Sequence, residues 1–283
     1  KADIIEASAN TADPEAVDVL VENAAPAVRD VLLDTLDIDF DTLGADYDFA
    51  QEAAHSEERI LHVDASTGQH ILRPFLSYLS EVDNITILED TTALELVRHE
   101  GRVHGALLDT EPDGEPVFAG ATVLATGGIG DCYEQSTNPA GSTGDGIAMA
   151  FLAGAEIQDM EFVQFHPTAA AVEDPFLLSE AVRGEGAVLR NAEDERFMPD
   201  YHPDAELAPR DVVARAVQEE IDATGGVTLD VSTLDEPFDE AFPDLAATCE
   251  DRGIDWREGI PVAPCEHFLC GGIDVDNRGR TTL

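Results

Sequence analysis

Between Pro14 and Leu36 apolar residues recur at helical spacing (Val17, Leu20, Val21, Ala25, Val28, Val31, Leu32), and Pro26 is placed to break the run into two helices. From Asn84 the period shortens. Ile85 and Ile87, then Ala93, Leu94 and Leu96, precede a turn at His99 to Arg102, after which come Val103, Ala106 and Leu108. With a second turn at Pro112-Asp113-Gly114, this pattern predicts a β-meander. The last strand expected there, Ala121 to Thr126, runs straight into Gly127-Gly128 and reads as a buried strand ending in a glycine-rich loop. Further on, the spacing predicts helices over Ile147–Ala155, Phe176–Arg183, Ala208–Thr224 and Pro243–Gly253, and a strand over Val227–Val231. A stretch richer in His, Arg and Pro begins after Met160. The expected organisation is therefore a first domain over 1–160, a second over 161–270, and a return to the first over 271–283.

Composition narrows the picture. At 283 residues and 43% hydrophobic content the chain has material for a large core and two domains. Sixty acidic against fifteen basic residues give a formal charge of −45, which repels nucleic-acid phosphates and anionic lipid surfaces, so neither is expected as a partner. The acids are interspersed through apolar periodic segments rather than gathered in runs, unlike an acidic interaction module. Self-repulsion on this scale is tolerable where salt shrinks the screening length, and the charge is read as adaptation to a high-salt interior. No apolar run is long enough to span a bilayer and no basic, apolar leader opens the chain, so a soluble, cytoplasmic protein is expected. Cys132, Cys249, Cys265 and Cys270 are too few and scattered for a disulfide framework. Cys265, His267 and Cys270 lack a second ligand pair at zinc-like spacing, so no metal is expected.

Candidate chemistry lies in the loops. Gly127-Gly128-Ile129-Gly130 allows close backbone approach to a bulky ligand, although a tight strand-to-loop turn needs glycine too. Thr137-Asn138-Pro139 and the helix start at Gly144-Asp145-Gly146 follow, and two such loops in tandem point to a nucleotide cofactor. Arg210, expected just inside a helix after Pro209, opposes the helix dipole. An anionic substrate held there would reconcile the two, as would a surface pair with Glu206 or Asp211. His166 in Gln164-Phe-His-Pro-Thr168 and His267 in Pro264-Cys-Glu-His-Phe-Leu-Cys-Gly-Gly272 stand in segments bounded by Pro or Gly. Glu180 and Arg183 read either as site residues or as an ordinary helix ion pair.

Taken together, Leu124-Ala-Thr-Gly-Gly128, Thr143-Gly-Asp-Gly146, Phe165-His-Pro-Thr168, Glu180-Ala-Val-Arg-Gly-Glu-Gly186, Glu195-Arg-Phe-Met198, Ala208-Pro-Arg-Asp-Val-Val213 and His267-Phe-Leu-Cys-Gly-Gly272 resemble the fumarate reductase, succinate dehydrogenase and L-aspartate oxidase flavoprotein family. Three features resemble its aspartate-oxidising branch: His55-Ser-Glu-Glu-Arg-Ile-Leu-His62 followed by Asp64-Ala-Ser-Thr-Gly68, Pro209 where respiratory members usually have Ser, and Cys270 where they usually have Met. Ser179 stands where the family usually has Thr.

The resemblance implies an α/β fold: a Rossmann-like FAD-binding domain with an inserted α+β capping domain, the two enclosing a dicarboxylate. It implies FAD near Ala125, Thr126, Gly127, Gly128, Asn138 and Asp145. It gives catalytic roles to Arg210, His166, His267 and Glu180, and substrate contacts to Glu52, Gln164, Ser179 and Thr168. Glu52 would face an ammonium group, which L-aspartate has and succinate lacks. The implied reaction is oxidation of L-aspartate to iminoaspartate, with oxygen or fumarate as acceptor, opening NAD biosynthesis, and quinolinate synthase is the implied partner. The other readings are a succinate dehydrogenase or fumarate reductase flavoprotein subunit, and a non-catalytic FAD-binding fragment. The family's G-x-G-x-x-G strand and its closing segment have no counterpart between Lys1 and Leu283, so a chain truncated at its N-terminal fingerprint and at its other end is expected.

Overall fold

Helix α1 (Ala2–Ala7) is followed by α2 (Pro14–Val28), which is capped by Asp13 accepting the Glu15 N–H at 2.9 Å. Pro26 does not split α2 as expected but sits inside it. Proline has no N–H to donate and crowds the carbonyl one turn back. Directly after Val28 the backbone winds as a π-helix over Arg29–Thr35, and the Leu36 N–H reaches the Val31 carbonyl five residues earlier. In this computed structural model the described residues are 1–51, 55–63, 67–110 and 114–283.

Two units emerge. The first comprises Lys1–Ile87 and Glu236–Thr248. Besides α1 and α2 it holds the short antiparallel pairs β1 (Thr42–Leu43) with β2 (Asp46–Tyr47) and β3 (Phe49–Ala50) with β4 (Ile60–Leu61), and helix α3 (Thr67–Glu81). Leu36, Ile38, Phe40 and Val63 form a buried cluster backed by Leu32, Leu33 and Leu61.

The second unit comprises Leu88–Asp235 and Cys249–Leu283. The boundary expected at residue 160 falls within it. Strands β5 (Ala93–His99), β6 (Arg102–Leu108) and β7 (Glu115–Phe118) form the expected antiparallel meander. Helix α4 (Asp145–Ala153) packs Met149 and Ala153 on Leu96. Residues 121–126 do not form the buried strand that was expected. No described strand pairs with them, and Val123 is 85% exposed, because an apolar run becomes a strand only where a neighbouring ladder accepts its hydrogen bonds.

The rest of this unit is built on β8 (Ile157–Gln158), β9 (Val163–Ala170), α5 (Glu180–Gly184), β10 (Val188–Asn191), α6 (Met198–Tyr201), α7 (Arg210–Thr224) and β11 (Val227–Asp230). Strands β12 (Ile260–Leu269) and β13 (Gly272–Ile273), the latter paired with β8, complete it, while the intervening helices α8 (Phe238–Ala241) and most of α9 (Pro243–Asp251) belong to the first unit. Strands β10, β11, β12 and β9 lie in that order in one antiparallel sheet. Helix α7 packs on β9 and β12. It buries Val213, Ala216 and Val217, which share a face at three- and four-residue spacing, each valine contributing roughly 2 kcal/mol.

Two expected helices are shifted. The segment 176–179 is extended, with Leu177 bridging Ala169, and α5 begins only at Glu180, where the Ser179 hydroxyl caps Ala181. Pro209 is the N-cap of α7, which makes Arg210 its first residue. No helix among the described residues is long and apolar enough to cross a membrane.

Candidate active site

The pairing of β9 with β12 is broken twice, and each break lies beside a histidine. Between the pairs Ala263↔Ala169 and Cys265↔His166, β9 carries the extra residue, in the segment Pro167-Thr168. Pro167 offers no N–H to the ladder, which favours a bulge there. Between Glu266↔Phe165 and Phe268↔Gln164 the extra residue is His267 itself. Bulges re-aim side chains, and here the two imidazoles meet edge to face with centroids 5.3 Å apart and planes at 67°.

His166 is 1% exposed. The Thr168 N–H donates to its Nδ1 at 3.2 Å, so Nδ1 holds the lone pair and the proton of the neutral ring sits on Nε2. That Nε2 is buried and has no hydrogen-bond partner. Burial, then the nearby charges of Arg210, Arg183 and His267, push the His166 pKa down to about 3, so the ring stays neutral. His267, partly exposed, contacts the Thr137 hydroxyl through Nδ1 at 2.7 Å. Burial and then Arg210 lower its pKa as well.

Arg210 reaches this pair from the start of α7. Its Nε donates to Glu180 Oε2 at 2.7 Å and its Nη1 to Gln164 Oε1 at 3.2 Å. Of the surface partners considered from sequence, Asp211 pairs with Arg215 and Glu206 with Arg196. Glu180 also lies 3.7 Å from the fully buried Arg183, whose Nη1 donates to the Glu206 carbonyl. Burial is the largest influence on Arg183 and lowers its pKa. Glu206 is 4% exposed. Burial would raise its pKa, but the hydrogen bonds from Arg196 and the Leu189 N–H outweigh this and lower it.

The structure thus brings together His166, His267, Arg210, Glu180 and Gln164. Thr168 is buried beneath them, its hydroxyl donating to the Leu178 carbonyl at 3.0 Å, and Ser179 caps α5. Glu52 lies outside the described residues. Glu266 and Ser136 are not singled out by the sequence, and Thr137, expected in a cofactor loop, instead contacts His267. The available signal was an acidic residue at position 266 of a mostly apolar strand, where a carboxylate must find buried partners.

The glycine-rich segments leave room for a flat or anionic group. Gly127 has φ +73°, and a Cβ built there meets nothing nearer than Ser142 Oγ at 3.8 Å; at Gly128 the nearest atom is Leu269 Cβ at 3.7 Å. Ala125, Thr126, Gly127 and Asp145 are exposed. Gly144 caps α4 at φ +78°, and Thr126 packs so closely on Gly146 that a Cβ there would fall 1.9 Å from its hydroxyl. The Asn138 amide, in contrast, is used within the protein, on Glu266 and the His267 carbonyl.

Glycine-lined loops leading into an α-helix in a mixed helix-and-sheet fold are the class of architecture that holds a nucleotide cofactor. The model of the FAD binding domain family matches residues 1–283, and the chain belongs to that family. It is 65% identical to the L-aspartate oxidase of Halobacterium salinarum over 100% of this chain and 56% of that protein. It is 41% identical to the L-aspartate oxidase of Nostoc sp. over 99% of this chain and 50% of that protein. Among solved structures, a quinol fumarate reductase of E. coli superposes with a TM-score of 0.87 at 26% identity, covering 99% of this chain and 52% of that one. Sdh1 of Mycobacterium smegmatis, in complex with UQ1, gives a TM-score of 0.76 at 32% identity, with 93% of this chain and 48% of that one covered. The chain spans about half the length of the relatives it matches.

Proposed function

We propose that the protein carrying this chain oxidises L-aspartate to iminoaspartate with FAD, oxygen or fumarate being the final acceptor, and so opens NAD biosynthesis. The observation that carries this reading is the buried, unpartnered His166 Nε2 beside Arg210 and His267. A neutral N–H donor that finds no protein acceptor is suited to a carboxylate oxygen of a ligand. Arg210 supplies a fixed cation and a forked donor set for an anionic substrate, with Glu180 and Gln164 orienting its guanidinium. Because Arg210 stays charged, its first role is electrostatic.

FAD would be held along 125–128, 138 and the start of α4, where the open space at Gly127 and Gly128 fits a bulky group, and it supplies a two-electron acceptor for the hydride on the substrate Cα. Glu52 is the residue we assign to the substrate ammonium, while Thr168 and Ser179 support the site from beneath His166 and from the start of α5. Residues 161–270 act as the capping domain in this reading. Iminoaspartate is short-lived in water, which supports quinolinate synthase as a partner in the same, cytoplasmic compartment.

The test is substrate profiling of the full-length, FAD-loaded protein in molar salt, following oxygen uptake. L-aspartate should be turned over and succinate should not. Succinate oxidation exceeding that of L-aspartate would instead assign a succinate dehydrogenase or fumarate reductase flavoprotein, and turnover of neither would favour a non-catalytic FAD-binding protein.

A further inference from the structure

The carboxylate of Glu266 is 0% exposed in the middle of β12. One of its oxygens does all the hydrogen bonding: Oε2 accepts from Ser136 Oγ at 2.7 Å and Asn138 Nδ2 at 3.0 Å, while Oε1 has no hydrogen-bond partner. The backbone adds to this grip. Glu266 N–H donates to the Gln135 carbonyl at 3.0 Å, and its carbonyl accepts the Thr137 N–H at 3.0 Å. Gly130 closes the packing, since a Cβ there would fall 2.4 Å from Glu266 Oε2 and 2.5 Å from Ser136 Oγ.

What the clasped loop touches next is His267. Thr137 Oγ1 lies 2.7 Å from its Nδ1, and Asn138 Nδ2 donates to its carbonyl at 2.8 Å. As the extra residue of a bulge, His267 has no opposite number on β9 to fix it. The Thr137 hydroxyl has one proton and two candidate acceptors, His267 Nδ1 at 2.7 Å and the Glu266 carbonyl at 3.4 Å. The 2.7 Å contact admits either direction, and only Thr137 O–H donating to Nδ1 leaves the His267 proton on Nε2, the tautomer that the Thr168 N–H imposes on His166.

We infer that Glu266 and Thr137 are positioning residues: Glu266 clasps the 135–138 loop to β12, and through that loop Thr137 sets the orientation and Nε2–H tautomer of His267, so that both histidines offer an N–H to one anionic ligand. This rests on the dicarboxylate reading above, but its structural half can be measured independently.

The experiment uses the full-length, FAD-loaded protein with succinate as the probe, its affinity read from the flavin absorbance change and the His267 tautomer from imidazole ¹⁵N shifts. Thr137→Ser should behave as wild type. Thr137→Val should lose the Nε2–H signature and bind succinate at least tenfold more weakly. Glu266→Gln keeps an oxygen at the Oε2 position and should stay within about threefold of wild type; Glu266→Ala, or Ser136→Ala should that variant fail to fold, should weaken binding tenfold or more. A Thr137→Val protein with wild-type tautomer and affinity overturns the inference, as does Glu266→Gln being as impaired as Glu266→Ala. Failure of the wild-type protein to bind succinate would count against the dicarboxylate reading alone, because the tautomer measurement still decides the clasp.

Discussion

His166 and His267 meet edge to face, and each presents its Nδ1 to a threonine: the Thr168 N–H for one, the Thr137 hydroxyl for the other. The threonines come from different segments, one within β9 and one from the loop before α4. Two rings, one buried and one partly exposed, fixed from two directions form a preorganised donor pair, so a ligand need not order them on binding.

The neutrality of His166 makes stability depend on pH. Its pKa is about 3 in the folded chain, against an ordinary 6.5 when unfolded. Between those values the unfolded chain binds a proton that the folded chain refuses, so stability is intact above about pH 6.5 and falls as the pH drops through the window, by at most about 1.4 kcal/mol per pH unit. His166→Asn removes this dependence. The stability difference between wild type and variant, from denaturant unfolding in molar salt, should change by roughly 2 kcal/mol between pH 7 and pH 5. Parallel pH profiles for the two proteins would show that burial does not suppress the charge.

Much of this arrangement was legible in the sequence, and what was not has identifiable causes. Helix α7 announces itself through period, because it buries one face and leaves the other wet, and the meander through its apolar runs and the turns between them. Segment 121–126 misled because its apolar run specifies a strand only when neighbours complete the ladder, and here Val123 stands exposed. Pro26 misled because α2 continues through it without a break, an accommodation with no local signature. In the candidate site, motif order led to His166, His267, Arg210 and Glu180. The clasp around Glu266 was hidden because its partners, Ser136 and Asn138, are 130 and 128 residues away in sequence.

The charge of −45 sets the conditions under which any of this chemistry runs. At about 0.1 M salt the screening length is roughly 10 Å and neighbouring carboxylates repel, whereas at about 1 M it is roughly 3 Å. The melting temperature should therefore rise steeply from low to molar potassium chloride. The exposed ion pairs work against this trend only weakly, since pairs such as Arg215 with Asp211 are themselves screened by salt. A melting temperature that is flat or falls with salt would remove the salt-adaptation reading.

Glu52 decides between the two enzyme readings, because only one of the two substrates carries an ammonium group. If it faces the substrate ammonium, Glu52→Gln keeps the shape and removes a charge-assisted contact, typically about 1.5 to 3 kcal/mol, or roughly ten- to a hundredfold in kcat/KM for L-aspartate. Fumarate carries no ammonium group, so its reduction should persist, or improve as a negative charge leaves a site built for dianions. The ratio of the two activities is the measurement. Arg210→Lys is the control: a point charge replacing the forked donor now shared between Glu180 and Gln164 should impair both substrates together. Equal losses for aspartate and fumarate in Glu52→Gln would make that residue a structural one, and the preference for an amino acid over a plain dicarboxylate would have to come from elsewhere in the site.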